Sequence, residues 1–419
     1  MSILPQPDKF EFTTKERNYG LITIAIGVVM LIIGLLTNLD NPTRIYTALL
    51  FNNYFFLMLG VCALFFICAH TVGWGGWYLM LRRVSEAITM YIPIGAVLLI
   101  ITLALGMKEI YIWSHEELTD PANAHFDKLL AAKKWWLNNS GWWIRSILYL
   151  FLWTGFAFLI RRNSLASDQS SNLNYYNKSV TISAFFIFVF AITSSTAPWD
   201  WFMSIQPHWF STLWGWYSFI SMFVASCAVT MLFVIYLRGK GYLKNVTDEH
   251  QHDLGVFMFA FSVAWGYLFF SQFMLIWYSN MPEETSYYKL RIDHYTLLMW
   301  ACVFMNFITP FLVLMTAGAK RHRKVAAFGA IVIIIGHWLD FFQMSMPAAI
   351  NEMSHYHSMH AADGAAHHEP HFNHPGFLEI GLGLTLAGIF MLVVFNALSK
   401  ASLVPKNHPF TKESVIHHV

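Results

Sequence analysis

The chain has 419 residues, of which 56% are apolar, 17% aromatic and only 12% charged, where a soluble domain usually carries about 25% charged residues. This excludes a string of soluble domains and implies an integral membrane protein. The net charge of +2 carries no nucleic-acid signature.

The polar start, MSILPQPDKFEFTTKERNYG, leads into an apolar run at 20–37 with no small-x-small cleavage pattern after it. It reads as a retained helix rather than a signal peptide. Nine further runs follow, near 51–80, 87–107, 142–160, 179–196, 212–237, 254–278, 295–317, 325–346 and 376–398. A bilayer core about 30 Å thick needs roughly 20 apolar residues per helix, so ten transmembrane helices are expected. Gly215 and Pro310 fall inside the sixth and eighth runs, where neighbouring helices can re-satisfy the backbone. The four cysteines, Cys62, Cys68, Cys227 and Cys302, each lie in an apolar run and form no C-x-x-C motif. They are expected to be small buried apolar residues.

Charge sets the expected orientation. With the N-terminus inside, every even-numbered loop is basic, and that side receives 18 of the 26 basic residues, Arg82, Arg83, Arg161, Arg162, Arg238, Lys240 and Lys320 to Lys324 among them. The positive-inside rule then puts both termini in the cytoplasm. The outward loops are long: 108–141; the aromatic loop 197–211, APWDWFMSIQPHWFS; and 347–375, with seven histidines from His355 to His374. Loops of this length serve as functional or docking surfaces. The histidines have no ordered ligand spacing, which favours docking or adventitious metal over a built site.

The third and seventh spans exit through similar aromatic and acidic stretches, Tyr111 to Glu117 and Trp277 to Glu284, and the fourth and eighth return to basic clusters. This faint repeat suggests two four-helix bundles in parallel orientation. The expected fold is an all-α integral membrane protein, with bundles of helices 2–5 and 6–9 flanked by helices 1 and 10. Along the chain this gives a tail and first helix at 1–50, bundles at 51–196 and 212–346, a His-rich loop at 347–375 and a last helix and tail at 376–419.

Ionisable residues inside a span are costly and mark a wet path or a site. His337 falls about 18 Å into the ninth span at 1.5 Å per residue, and Asp340 lies one turn further on the same face. The pair is either a proton relay, since histidine titrates near neutral pH, or a structural hydrogen-bonded pair. Tyr267, Ser271 and Gln272 on the seventh span and Asn306 on the eighth are candidates to extend a path. Ser262, Tyr267, Ser271 and Tyr278 fall roughly on one face of the seventh span. His70 is placed well inside the second span, and Glu86 and Asp253 at the cytoplasmic ends of the third and seventh. Asp200 and His208, in the aromatic loop, are candidates for an outward proton exit or a quinone headgroup contact, or are incidental to an aromatic belt. Asp293, His294 and Glu379 fall at the outer edge.

The stretches DWFMSIQPHWFSTLWGWYSF (200–219), HDLGVFMFAFSVAWGYLFFSQFMLIWYSNMPEET (252–285) and GHWLDFF (336–342) resemble the F subunit of bacterial alternative complex III, an NrfD-like (polysulfide-reductase-type) membrane subunit. The resemblance covers nearly the whole chain. It implies a place in a bacterial inner-membrane complex that oxidises quinol and passes electrons to cytochrome c or to a terminal oxidase. Implied partners are a sister NrfD-like subunit, haem c and iron–sulfur subunits on the outer side, small membrane subunits and lipid. The Gly-His-Ala-Gly type stretch associated with the sister subunit is absent. With no redox-cofactor motif in the chain, proton conduction or scaffolding is the expected role. A quinone-binding subunit, a purely structural anchor and an independent secondary transporter are the alternatives.

Overall fold

The computed structural model describes residues 9–170, 172–360 and 374–417. Ten helices among the described residues are long and apolar enough to cross a membrane: α1 (Thr14–Leu36), α2 (Pro42–Val72), α3 (Leu79–Ile110), α4 (Asn139–Ser167), α5 (Asn174–Trp201), α6 (Leu213–Gly239), α7 (Asp248–Ser279), α8 (Pro282–Val313), α9 (Arg323–His360) and α10 (Phe377–Ser399). Their starts carry the expected caps. Thr13 and Glu16 form a capping box on α1, Asn41 precedes Pro42 on α2, and the Asn138 side chain accepts from the Gly141 amide on α4. Each satisfies amides that a helix start leaves without a partner.

The chain is an all-α membrane protein of the expected arrangement. Helices α2, α3, α4 and α5 pack in a ring, and α6, α7, α8 and α9 pack in a second ring. The two rings share a wall made by α2, α5, α6 and α9. Polar contacts stitch that wall: Tyr54 Oη to Ser218 Oγ at 3.1 Å, Ser226 Oγ to the Leu59 carbonyl at 2.9 Å, and Trp338 Nε1 to Asn52 Oδ1 at 2.8 Å. Helix α10 leans on α2, and α1 packs on α10. Lys9 and Ser402 meet in an isolated β-bridge, so both ends of the chain lie at one end of the molecule, hereafter the terminal end. All four cysteines are buried and free.

Several helix limits differ from expectation. Helix α2 begins at Pro42 and ends at Val72, so His70 stands in its last turn and not deep in the span. Arg82, Arg83 and Glu86 belong to the first part of α3, before its break near Met90 and Tyr91. Helix α8 begins at Pro282, which brings Asp293 and His294 into the helix, where both are exposed. Helix α5 carries Pro198 and Asp200 to Trp201, shortening the aromatic loop. Helix α9 runs through Pro347 to His360, so the first part of the expected 347–375 loop is helical. Of its seven histidines, His367, His368, His371 and the side chain of His360 lie outside the described residues.

Candidate functional site: a buried polar cluster in the second bundle

Asp340 sits on α9 with its side chain turned into the second bundle. Three donors converge on its carboxyl group. Tyr217 Oη reaches Oδ1 at 2.6 Å; Ser221 Oγ reaches Oδ2 at 3.0 Å, and Trp265 Nε1 the same oxygen at 3.1 Å. Tyr217 and Ser221 lie four apart on α6, so one face presents both; Trp265 comes from α7.

His337 lies one turn before Asp340 and is fully buried. Its Nδ1 stands 4.0 Å from Asp340 Oδ2, beyond hydrogen-bond reach. Its ring meets that of Trp265 edge-on, with centroids 5.8 Å apart. Neither ring nitrogen has a hydrogen-bond partner. Of the two alternatives, a direct hydrogen bond between these residues is not formed; the carboxyl group is held by Tyr217, Ser221 and Trp265.

Beside His337 the eighth span departs from regular α-helix. Pro310 has no amide to offer the Asn306 carbonyl and crowds it, and residues Phe304–Ile308 form a π turn. Such turns occur often at functional sites. The Asn306 side chain is thereby set against Gly336, where any Cβ would overlap Oδ1. Asn306 Nδ2 and Oδ1 are both buried without partners, as is Ser262 Oγ one turn from Trp265 on α7. Buried polar atoms are nearly always satisfied by protein or ordered water, and a buried water typically bridges about three such groups. The cluster around His337 and Asn306 is therefore a set of buried polar atoms whose hydrogen-bonding capacity is unspent within the chain.

Arg291 on α8 completes the site and was not singled out from the sequence. It is fully buried, its guanidinium carbon 3.4 Å from the centroid of the Tyr287 ring. Its Nε donates to the Gln343 carbonyl at 3.1 Å, and its other nitrogens to the carbonyls of Tyr287 at 2.9 Å and Met344 at 3.3 Å. Pro347 leaves the Gln343 carbonyl without its helical donor, and Arg291 supplies one. This is why the proline does not end α9.

Other candidates fall elsewhere. Tyr267 is 70% exposed on the outside of the bundle, and Ser271 is half-buried while Gln272 is buried. Ser262 and Tyr267 are five residues apart, about 140° around a helix of 3.6 residues per turn. Ser262 therefore points inward while Tyr267 and Tyr278 point out, and the single polar face expected of α7 does not exist. His70 is boxed by Phe66, Trp77, Tyr78 and Phe257, its Nδ1 on the Phe66 carbonyl at 2.8 Å. Glu86 is fully buried and held by Arg82 and Arg83, both at 2.9 Å. Asp253 joins His252 at 3.0 Å and His417 of the C-terminal tail at 2.7 Å.

The structure separates Asp200 from His208. Asp200 is fully buried in α5 and accepts from Trp136, Arg145 and Tyr149 at 2.8–2.9 Å. It is a node joining α5 to α4 and the preceding loop, not an opening to solvent. His208 instead meets Asp127 at 2.6 Å, close to Gln206 and to Glu352, a residue of the helical extension of α9. Burial pushes the Asp127 carboxyl up, but the Leu130 amide, the His208 ring and the Leu129 amide outweigh it and hold the group below its usual range. Glu379 pairs bidentately with Arg44 at 2.7 and 3.0 Å, tying α10 to the start of α2.

Among the described residues, no three His, Cys, Asp or Glu side chains are grouped to hold a metal ion. A cleft of about 380 Å³ opens at the end opposite the termini, lined by Trp135, Trp136, Trp199, Trp209 and Phe210, with Lys133 at its edge. No protein-family model matches the sequence, and no curated protein matches it.

Proposed function

We propose that the chain is a membrane subunit of a quinol-oxidising respiratory complex and that its second bundle conducts protons through His337 and Asp340. The observation that carries the proton role is the fully buried His337, with both ring nitrogens unpartnered, beside a carboxyl group that three neutral donors hold in place. Histidine is the side chain suited to exchange protons near neutral pH, and Asn306 and Ser262 offer further polar atoms for ordered water. The respiratory context rests on the resemblance of 200–219, 252–285 and 336–342 to the F subunit of alternative complex III. On that reading the chain lies in a bacterial inner membrane with both termini cytoplasmic. The haem c and iron–sulfur subunits sit at the opposite end, and the sister subunit, small membrane subunits, lipid and a terminal oxidase are its other partners.

The test is proton release per quinol oxidised, in vesicles carrying the assembled complex with His337→Ala or Asp340→Asn. Reduced proton yield with intact assembly is expected. An unchanged yield overturns the relay and leaves a structural anchor. Purification of the chain alone, free of haem c and active as a solute transporter, would overturn the respiratory context. The tryptophan-lined cleft favours a second reading, in which the chain binds quinone directly. Photo-labelling by an azidoquinone at Trp136 or Trp209 would support it, and labelling confined to other subunits would remove it.

A further inference from the structure

A second cleft, of about 700 Å³, lies in the terminal-end half of the molecule between α1 and the body of the protein, with α2, α6, α9 and α10 forming its other walls. This volume falls within the roughly 300–1,000 Å³ of small-molecule sites. Its origin is the seam between α1 and α10. Gly27 and Gly381 bring these two backbones so close that a Cβ at either position would overlap the other helix's backbone. Held that tightly to α10, α1 stands off from α6, and the gap is lined by Leu59, Val229 and Phe390.

At the terminal end the rim of the gap is polar. There Glu16 of α1 accepts from Tyr236 Oη at 2.7 Å and from Lys240 Nζ at 3.0 Å, both on or just after α6. Two lysines stand at this rim, each over a tyrosine that lines the cleft. Lys240 Nζ lies 5.6 Å from the Tyr236 ring centroid, and Lys15 Nζ 5.9 Å from that of Tyr19. Two cations and one carboxylate leave one formal positive charge at the mouth of an apolar slot.

We infer that this cleft is a binding site for one anionic phospholipid, its acyl chain in the slot and its phosphate at Lys15 and Lys240. The charge matches a phosphodiester. Basic side chains at the membrane surface attract anionic headgroups, and tyrosines suit the level where chain meets headgroup. A quinone would fill the apolar slot equally well but would make no use of the surplus charge.

The test is native mass spectrometry of the full-length protein, titrated with phosphatidylglycerol or phosphatidylcholine of identical acyl chains. One tightly retained phosphatidylglycerol is expected, with phosphatidylcholine retained more weakly. Lys15→Gln, at an exposed position, should weaken phosphatidylglycerol about fivefold and leave phosphatidylcholine unchanged. Val229→Trp should fill the slot and remove the retained lipid. Equal retention of the two lipids, indifference to both variants, or displacement of the lipid by an equimolar short-chain quinone would overturn the assignment.

Discussion

Arg291 donates to the carbonyl of Gln343 in the turn of α9 that Pro347 deprives of an amide. A helix on α8 thus repairs a break in α9, one turn beyond Asp340. Without that donor the Gln343 carbonyl would be buried and orphaned, at about 1–3 kcal/mol. Arg291→Met is therefore expected to destabilise the protein by about 1–3 kcal/mol, read as a lowered midpoint of thermal unfolding in detergent. Pro347→Ala restores the amide and should recover part of that loss in the double variant. A strictly additive double-mutant cycle would show that the two residues are not coupled.

Gly336 and Asn306 form a second coupled pair. A Cβ at position 336 overlaps the Asn306 amide oxygen, so Gly336→Ala should cost about 1–3 kcal/mol by overpacking. Shortening the partner, in Gly336→Ala/Asn306→Ala, should relieve part of the strain, the overlap with the Met305 Cβ remaining. If the double variant is as unstable as the single one, the Asn306 amide is not the neighbour that excludes a side chain at position 336.

Asp200 gives a contrasting expectation. It is bound by Arg145, Tyr149 and Trp136 with no oxygen left free, so Asp200→Asn breaks an ion pair between a buried carboxylate and a partly buried guanidinium at the junction of α4 and α5. Losing hydrogen bonds to a charged group costs about 1.5–3 kcal/mol. Thermal stability should fall, while the proton yield per quinol in those molecules that assemble should not. A lower proton yield at unchanged stability would return Asp200 to the proton path.

The C-terminal tail should release from the terminal end in acid. Burial, and then the Arg82 and Arg83 guanidiniums, push the His408 ring down to about 3 against a smaller opposing pull from Glu86. The docked ring is therefore neutral, while an undocked one takes up a proton below about 6.5. Docking is at full strength above that pH and is lost progressively as the pH falls from about 6.5 toward 3. A spin label at Lys406→Cys should become more mobile between pH 7.5 and 5. In His408→Gln this change should shrink, which separates it from the nearby His417–Asp253 pair. Equal mobilisation with and without His408 would assign the effect elsewhere.

The number of spans was legible in the sequence because apolar runs and loop charge alternate with little ambiguity, while the two rings rested on the faint likeness of the helix exits at Tyr111 to Glu117 and Trp277 to Glu284. Span limits were not, since polar residues such as Thr14, Asp248 and Glu283 extend helices beyond their apolar runs. The largest surprises share one cause: a proline or a buried arginine whose partner lies far along the chain. Pro347 reads as a helix end until Arg291 is placed beside it. Arg291 itself hides in the polar stretch PEETSYYKLRIDHY. A signal was present there, for Tyr287, Tyr288, Arg291, Tyr295, Leu298 and Cys302 recur at helical spacing and are all buried. His337 and Asp340 were found because they interrupt an apolar run, but their spacing could not reveal that Ser221 and Trp265 hold the Asp340 oxygen nearest to His337.

The seam between α1 and α10 has a consequence for biogenesis. Helix α1 packs chiefly on α10, made much later in the chain. At ~5–20 residues per second, the chain separating Gly27 from Gly381 takes roughly 20–70 s to synthesise. Throughout that interval α1 resides in the bilayer without its partner, as a freely diffusing anchor tethered to a growing bundle. Its insertion must therefore be stable on hydropathy alone until α10 is made.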